Sequence, residues 1–170
     1  LNTCEELYKK VKLNDLDILL FLMKNYSEET GEYYEDSYYN LTPISDDFEN
    51  KVFSHEDISN IIFSISISAC QKIYKRSLVK KVHFAEKLLF EDNPFFWGVM
   101  LQAKRMSLLK KHVYLRSRHT SSITSEYDNK YFDVIPISNK VISIFKELNL
   151  VNMYKYQLTN YKINSTKKRD

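Results

Sequence analysis

The stretch LLFEDNPFFWGVMLQAKRMSLL, Leu88 to Leu109, decides how this chain is read. Pro94 at a first helical position predicts a helix over 93–104, since a proline there lacks only an N–H that has no helical partner anyway. Phe95, Phe96, Trp97, Val99, Met100, Leu101 and Ala103 place apolar side chains on nearly every face of that helix. Such a helix is buried on more than one side. Met106 to Leu109 then reads as a short strand. Just before the helix sit two adjacent acids, Glu91 and Asp92, which could cap it or carry chemistry.

Working outward, Val113 to Arg118 reads as a second short strand, and 138–148 and 151–161 as closing helices. Upstream, Thr3 and Glu6 have capping-box spacing at the start of a helix over 3–12. Asp17 to Met23 is a continuous apolar run of strand length, the pattern of a buried strand. A turn over 28–32 leads to an aromatic arm, Tyr33-Tyr34 to Tyr38-Tyr39, and a loop over 41–52 follows. Ser54 with Ile58, Ile61 and Ile62 predicts a helix. The segment 64–68 reads as a strand or connector that continues through 69–74, and 77–81 as a helical turn. Strands and helices interleave, which favours an α/β layered domain.

Composition narrows the function. The 170 residues suit one domain, and 13 Tyr with 10 Phe argue against disorder. The net charge of +3 comes from 25 basic and 22 acidic residues, dispersed rather than gathered into the field of a nucleic-acid binder. Cys4 and Cys70 make no disulfide framework and match no metal spacing. No apolar run nears the ~20 residues that span a bilayer, and no signal peptide is present, so a cytoplasmic protein is expected. Glycine occurs only at Gly31 and Gly98, which excludes a glycine-rich phosphate loop. Leu1 opens directly into a helical pattern without an initiating Met, as expected of a piece of a longer chain.

Three motifs in order carry a resemblance. Phe90-Glu91-Asp92-Asn93-Pro94-Phe95-Phe96 is followed by Ala103-Lys104-Arg105-Met106-Ser107. Then come Val113-Tyr114-Leu115-Arg116-Ser117-Arg118-His119 and Ser121-Ser122-Ile123-Thr124. This succession resembles the C-terminal half of family 2 glycosyltransferases, and Lys72-Ile73-Tyr74-Lys75-Arg76-Ser77 resembles an upstream segment of the same family. The resemblance implies a GT-A-type layered domain, a mixed sheet flanked by helices with further C-terminal helices. Residues 1–148 would be the C-terminal portion of the catalytic domain, and 149–170 a terminal helix with a frayed basic tail. Members carry an N-terminal nucleotide-binding half ending in an Asp-x-Asp metal motif, and this chain would begin just after it. Asp15-Leu16-Asp17 has that form, but Asp17 leads into the buried strand and is not read as the metal motif. Cys70 stands where many members carry Trp.

The resemblance further implies an inverting transfer of sugar from a nucleotide-sugar donor to a glycan or lipid-linked acceptor. The setting would be cell-wall or polysaccharide synthesis at or near the cytoplasmic face of a membrane, with no nucleic acid involved. Asp92 would be the general base and Glu91 an acceptor-hydroxyl binder. Arg116, Arg118, His119 and Ser122 would hold the donor diphosphate; on a strand, positions two apart such as 116 and 118 share a side. Mg2+ or Mn2+ would serve the intact enzyme, with no certain ligand in this chain and His119 the one candidate. The chain alone is expected to be inactive, or nearly so. A reading of another class stays open: a non-catalytic module binding RNA or protein through interleaved basic and aromatic residues such as 72–76.

Overall fold

The computed structural model describes residues 2–118 and 132–166. The elements run α1 (Thr3–Leu13), β1 (Ile18–Ser27), β2 (Tyr33–Tyr34), β3 (Lys72–Tyr74), α2 (Arg76–Val79), α3 (Asp92–Met100), β4 (Met106–Arg118), α4 (Val134–Glu147) and α5 (Lys155–Thr166). The sheet is mixed. β4 runs parallel to β1 along its whole length, while β3 pairs antiparallel with the start of β1 and β2 with its end. A strand has two edges, so β2 and β3 share the one that β4 leaves.

The apolar run in β1 is buried on both faces, and residue parity sorts it between two cores. Ile18 and Leu20 join the larger core with Phe96, Val99, Met106, Phe145 and Tyr154. Leu19 and Phe21 join a smaller one with Leu7 of α1 and Leu16. Each fully buried side chain of this size stabilises the fold by about 1.5–3 kcal/mol. Phe53 exchanges backbone hydrogen bonds with Met106, and Asn50 donates to Leu108. The loop thereby covers the outer edge of β4, which would otherwise be open to pairing.

Four expectations are corrected. α1 is capped at Asn2 without a side-chain bond, so Thr3 and Glu6 form no capping box. No helix forms over 55–62; the chain makes successive tight turns ending in a 3-10 segment, Ile62–Ser64. There Asp57 accepts from the backbone and hydroxyl of Ser54. β-Branched isoleucines resist helix, and Ile58, Ile62 and Ile65 instead drive into the core. The two short strands over 106–118 are one strand, because register shifts between Phe21 and Leu22 and between Leu22 and Met23 absorb Lys110, Lys111 and Val113, while His112 stays paired with Leu22. The helix α3 starts two residues before Pro94, still within the first turn where proline is tolerated.

α3 is buried from Pro94 to Met100. Trp97 packs on Phe63 at 4.3 Å and on Phe145 at 5.1 Å between ring centroids. Offset aromatic contacts of this kind add to simple area burial. The Tyr154 hydroxyl lies 2.8 Å from His55 Nδ1 and donates to the His55 carbonyl at 3.1 Å, tying the approach to α5 back to the 55–62 turns. His55 is thus a packing residue. Gly98 lets the Val82 side chain approach α3, since a Cβ there would lie 2.9 Å from Val82 Cγ1.

Candidate active site

The acids of 91–92 stand where the chain enters α3 from Phe90, whose φ of 64° is left-handed. That conformation is strained for an aromatic residue and ends the preceding segment abruptly. Glu91 is the N-cap residue, yet no side-chain cap bond forms. Asp92, in the first turn, is favoured by the helix dipole. Its side chain points to the turn over 69–71, where the Ala69 backbone N–H approaches the carboxylate and favours its charged form. Burial, then repulsion from Glu91, nevertheless raises its pKa above the ordinary carboxylate range. A half-buried carboxylate with raised proton affinity on a rigid helix start is suited to taking a proton. Capping alone does not explain it.

Lys72 is the residue that sequence reasoning missed. It is 5% exposed and opposes Leu20 across β1 and β3, so both side chains face the larger core. Its Nζ donates to Ser66 O at 3.0 Å and to Ser68 O at 2.7 Å, and sits 5.1 Å over the Phe96 ring. Burial pulls its pKa down to about 7, against the attraction of Asp92 and Cys70. Lys75, three residues on, pairs with Asp15 and Asp17. Asp17 also accepts from the backbone of Lys104 and Arg105, so it closes a loop. With Lys72 buried and Lys75 ion-paired, 72–76 presents no continuous basic and aromatic face.

On the other flank, alternation in β4 sends Arg116 and Arg118 to one side, as expected. Arg116 donates to Asn25 Oδ1 at 3.4 Å and lies 5.0 Å over the Tyr39 ring. Arg118 lies near the Tyr34 phenol, which raises the pKa of the guanidinium further, although among the described residues the buried Tyr34 hydroxyl has no hydrogen-bond partner. Ser117 faces away, to Glu28. His119 and Ser122 lie outside the described residues.

The aromatic arm joins the two flanks. Asp36 caps a 3-10 turn by accepting from the Tyr38 N–H at 2.9 Å, which sets Tyr38 and Tyr39 edge to face. Burial raises the pKa of both phenols; Asp92 adds to each, while Arg116 opposes the rise at Tyr39. Tyr39 therefore lies within electrostatic reach of both acid and arginine. Tyr74 is likewise raised by burial and Asp92, and Tyr114 is raised chiefly by Cys70. Beside Tyr38 and Asn93 opens a cleft of ≈ 240 Å³, also lined by Phe63, Ser64 and Trp97. Among the described residues the buried Trp97 Nε1 has no hydrogen-bond partner.

Among the described residues no three His, Cys, Asp or Glu side chains come together as a metal site. None of them is therefore assigned to the Mg2+ or Mn2+ that the resemblance implies. No described helix is long and apolar enough to cross a membrane.

No protein-family model matches the chain. The glycosyltransferase GlyG of Streptococcus pneumoniae is 26% identical over 151 residues, covering 84% of this chain and 48% of GlyG. The 1–349 portion of S. aureus TarS, in complex with UDP-GlcNAc, shares the fold with a TM-score of 0.55 at 23% identity, over 82% of this chain and 38% of TarS 1–349. A second structure of the same portion gives a TM-score of 0.51 at 24% identity, over 82% of this chain and 36% of its own. The chain is thus homologous to a glycosyltransferase, has the mixed α/β fold of part of TarS, and spans less than half the length of these relatives.

Proposed function

We propose that this chain supplies the acceptor side of an inverting family 2 glycosyltransferase, which moves a sugar from a nucleotide-sugar to an acceptor hydroxyl. The observation that carries the reading is Asp92, a half-buried carboxylate with raised proton affinity on the rigid start of α3. In the reaction, Asp92 takes the acceptor hydroxyl proton as the acceptor oxygen bonds to the anomeric carbon. The bond from that carbon to the donor's phosphate oxygen breaks on the opposite face, and its electron pair leaves with the diphosphate. A single in-line displacement of this kind inverts the anomeric centre.

Arg116 and Arg118 suit the departing diphosphate, because guanidinium groups pair with phosphate oxygens in a planar, bidentate fashion. By resemblance His119 and Ser122 would join them. Stabilising charge on the leaving group is often the largest catalytic term. The cleft beside Tyr38, Asn93 and Trp97 has room for a sugar-sized group, its lining reaching Asn93, the neighbour of Asp92 in sequence, but neither acid, and the exposed Glu91 would bind an acceptor hydroxyl. The relative TarS was solved with UDP-GlcNAc and with UDP, which makes a UDP-sugar the first donor to test.

The test is Asp92→Asn in the full-length enzyme, with turnover and donor binding measured side by side. Turnover should vanish while UDP binding by calorimetry stays near the parent value. Retained turnover would remove Asp92 from the role.

A further inference from the structure

We infer that the cleft beside Asn93 is a subsite for a second sugar of the acceptor, so that the acceptor is a glycan of at least two units. The inference rests on the reading of Asp92 as the base, and it names the acceptor class that this reading leaves open. Asn93 lines the cleft, whereas Glu91 and Asp92 do not. A unit seated in the cleft is therefore not the unit whose hydroxyl reacts at Asp92. Consecutive Cα atoms lie about 3.8 Å apart, so the two positions are neighbours at the start of α3. One glycosidic linkage joins neighbouring rings, and an acceptor of two units would occupy both.

The lining suits a neutral ring better than any other occupant. Phe63 lies 4.3 Å from Trp97 and 6.0 Å from Tyr161 between ring centroids. With Tyr38 these rings form an aromatic wall of the cleft, against which the C–H face of a pyranose can pack. Ser37, Ser64 and Asn93 add two hydroxyls and an amide to the same lining, each able to donate and to accept. Asn93 Nδ2 donates to Phe90 O at 3.3 Å, which leaves Oδ1 as the atom that can accept from a sugar hydroxyl. Among the described residues that line the cleft there is no Lys, Arg, His, Asp or Glu. A phosphate-bearing unit would lack the cationic partners it pairs with best. An acyl chain would strip water from the polar side chains without replacing their hydrogen bonds. At ≈ 240 Å³ the cleft is smaller than the roughly 300–1,000 Å³ of sites for drug-sized ligands, as fits one ring.

Trp97 points the same way. Its side chain belongs to the lining, yet its buried Nε1 has no hydrogen-bond partner among the described residues. A buried donor is costly to leave unmade. A sugar oxygen at the foot of the cleft would accept from it.

The test is acceptor binding to the full-length enzyme saturated with UDP, which carries no sugar to transfer, so no probe is consumed. The probes are α- and β-linked disaccharides of hexoses and N-acetylhexosamines, each set against its component monosaccharides as methyl glycosides. Glycerol 3-phosphate and octyl glucoside stand for an anionic and a lipid-like occupant. At least one disaccharide should bind about tenfold or more tightly than its monosaccharides, as one or two added hydrogen bonds would give. Ser64→Trp, at an exposed position of the lining, fills the cleft and should abolish that gain. Trp97→Phe keeps an aromatic ring, removes the N–H and should diminish the gain. Three results overturn the inference: no gain across the panel, a gain that survives both variants, or a gain shown instead by octyl glucoside or glycerol 3-phosphate and lost in Ser64→Trp. Turnover retained by Asp92→Asn would instead sink the base assignment, and the binding comparison, which needs no base, would be unaffected.

Discussion

Asp92 and Arg118 both lie within electrostatic reach of Tyr39, yet the chain holds them in opposite ways. Asp92 is half buried on a helix packed from Pro94 to Met100, with a backbone amide, a buried lysine and a second acid setting its charge. Arg118 is exposed near the end of β4, within electrostatic reach of a tyrosine from the edge strand β2. The acid's proton affinity is thus fixed inside the fold, while the arginine keeps most of its hydrogen-bonding capacity for something not yet bound. A base needs a set pKa before substrate arrives. A diphosphate clamp needs free donors.

The contrast can be broken at its strongest point first. Asp92→Asn should lower kcat by about 10²–10⁴-fold, the usual contribution of a general base, with thermal stability nearly unchanged; a large drop in melting temperature with kcat intact would make Asp92 a structural residue. Trp97→Ala tests the support behind it. Loss of this buried ring should cost about 3–5 kcal/mol in chemical denaturation, whereas a loss below about 1 kcal/mol would mean that α3 is not the rigid platform described. Arg118→Ala should do the reverse, leaving stability within about 0.5 kcal/mol while weakening donor binding roughly 10- to 100-fold, as expected for a lost hydrogen bond to a charged group. Titration with UDP at several salt concentrations would read this, and unchanged affinity would remove Arg118 from the clamp.

A smaller effect sharpens the acid side. The folded-state pKa of Lys72, about 7, lies below the ordinary lysine value of 10.5. Between those values the unfolded chain binds more protons than the folded one, so this group makes stability rise as pH climbs. The raised tyrosines, Tyr38 and Tyr74, oppose the rise only near and above pH 10. Urea unfolding from pH 7 to 9 should show the increase, and Lys72→Met should flatten it. The smallest effect lies far from the site: Tyr154→Phe removes the bonds to His55 and should cost roughly 1 kcal/mol without altering donor affinity.

What could be read from the sequence follows from how local its cause is. β1 was legible because six apolar residues in a row, Ile18 to Met23, leave little choice, and α3 because its apolar faces outnumber any solvent face. The pairing of Arg116 with Arg118 needed only the two-residue period. The 55–62 helix failed because spacing alone was counted, while the Ser54–Asp57 turn and the branched isoleucines pulled the other way. β4 looked like two strands because its irregularity is defined by β1, far away in sequence. Lys72 was hidden for a similar reason: a lysine among tyrosines reads as solvated, and the carbonyls of Ser66 and Ser68 that make it a buried residue leave no mark in side-chain identities. The acid pair stands out in the sequence, but its first-turn place follows Phe90's left-handed backbone rather than starting at Asn93 and Pro94.

The sorting of β1 between two cores has a consequence for how such a chain can change its length. Inserting or deleting one residue between Ile18 and Leu22 would exchange the side chains offered to the two faces, and both cores would fail together. A similar change in the turn at 28–32, where Gly31 is exposed and left-handed, disturbs neither. Insertions and deletions that leave a foldable protein should therefore collect between β1 and β2 and avoid the first half of β1, an asymmetry that a library of single-codon insertions would display directly.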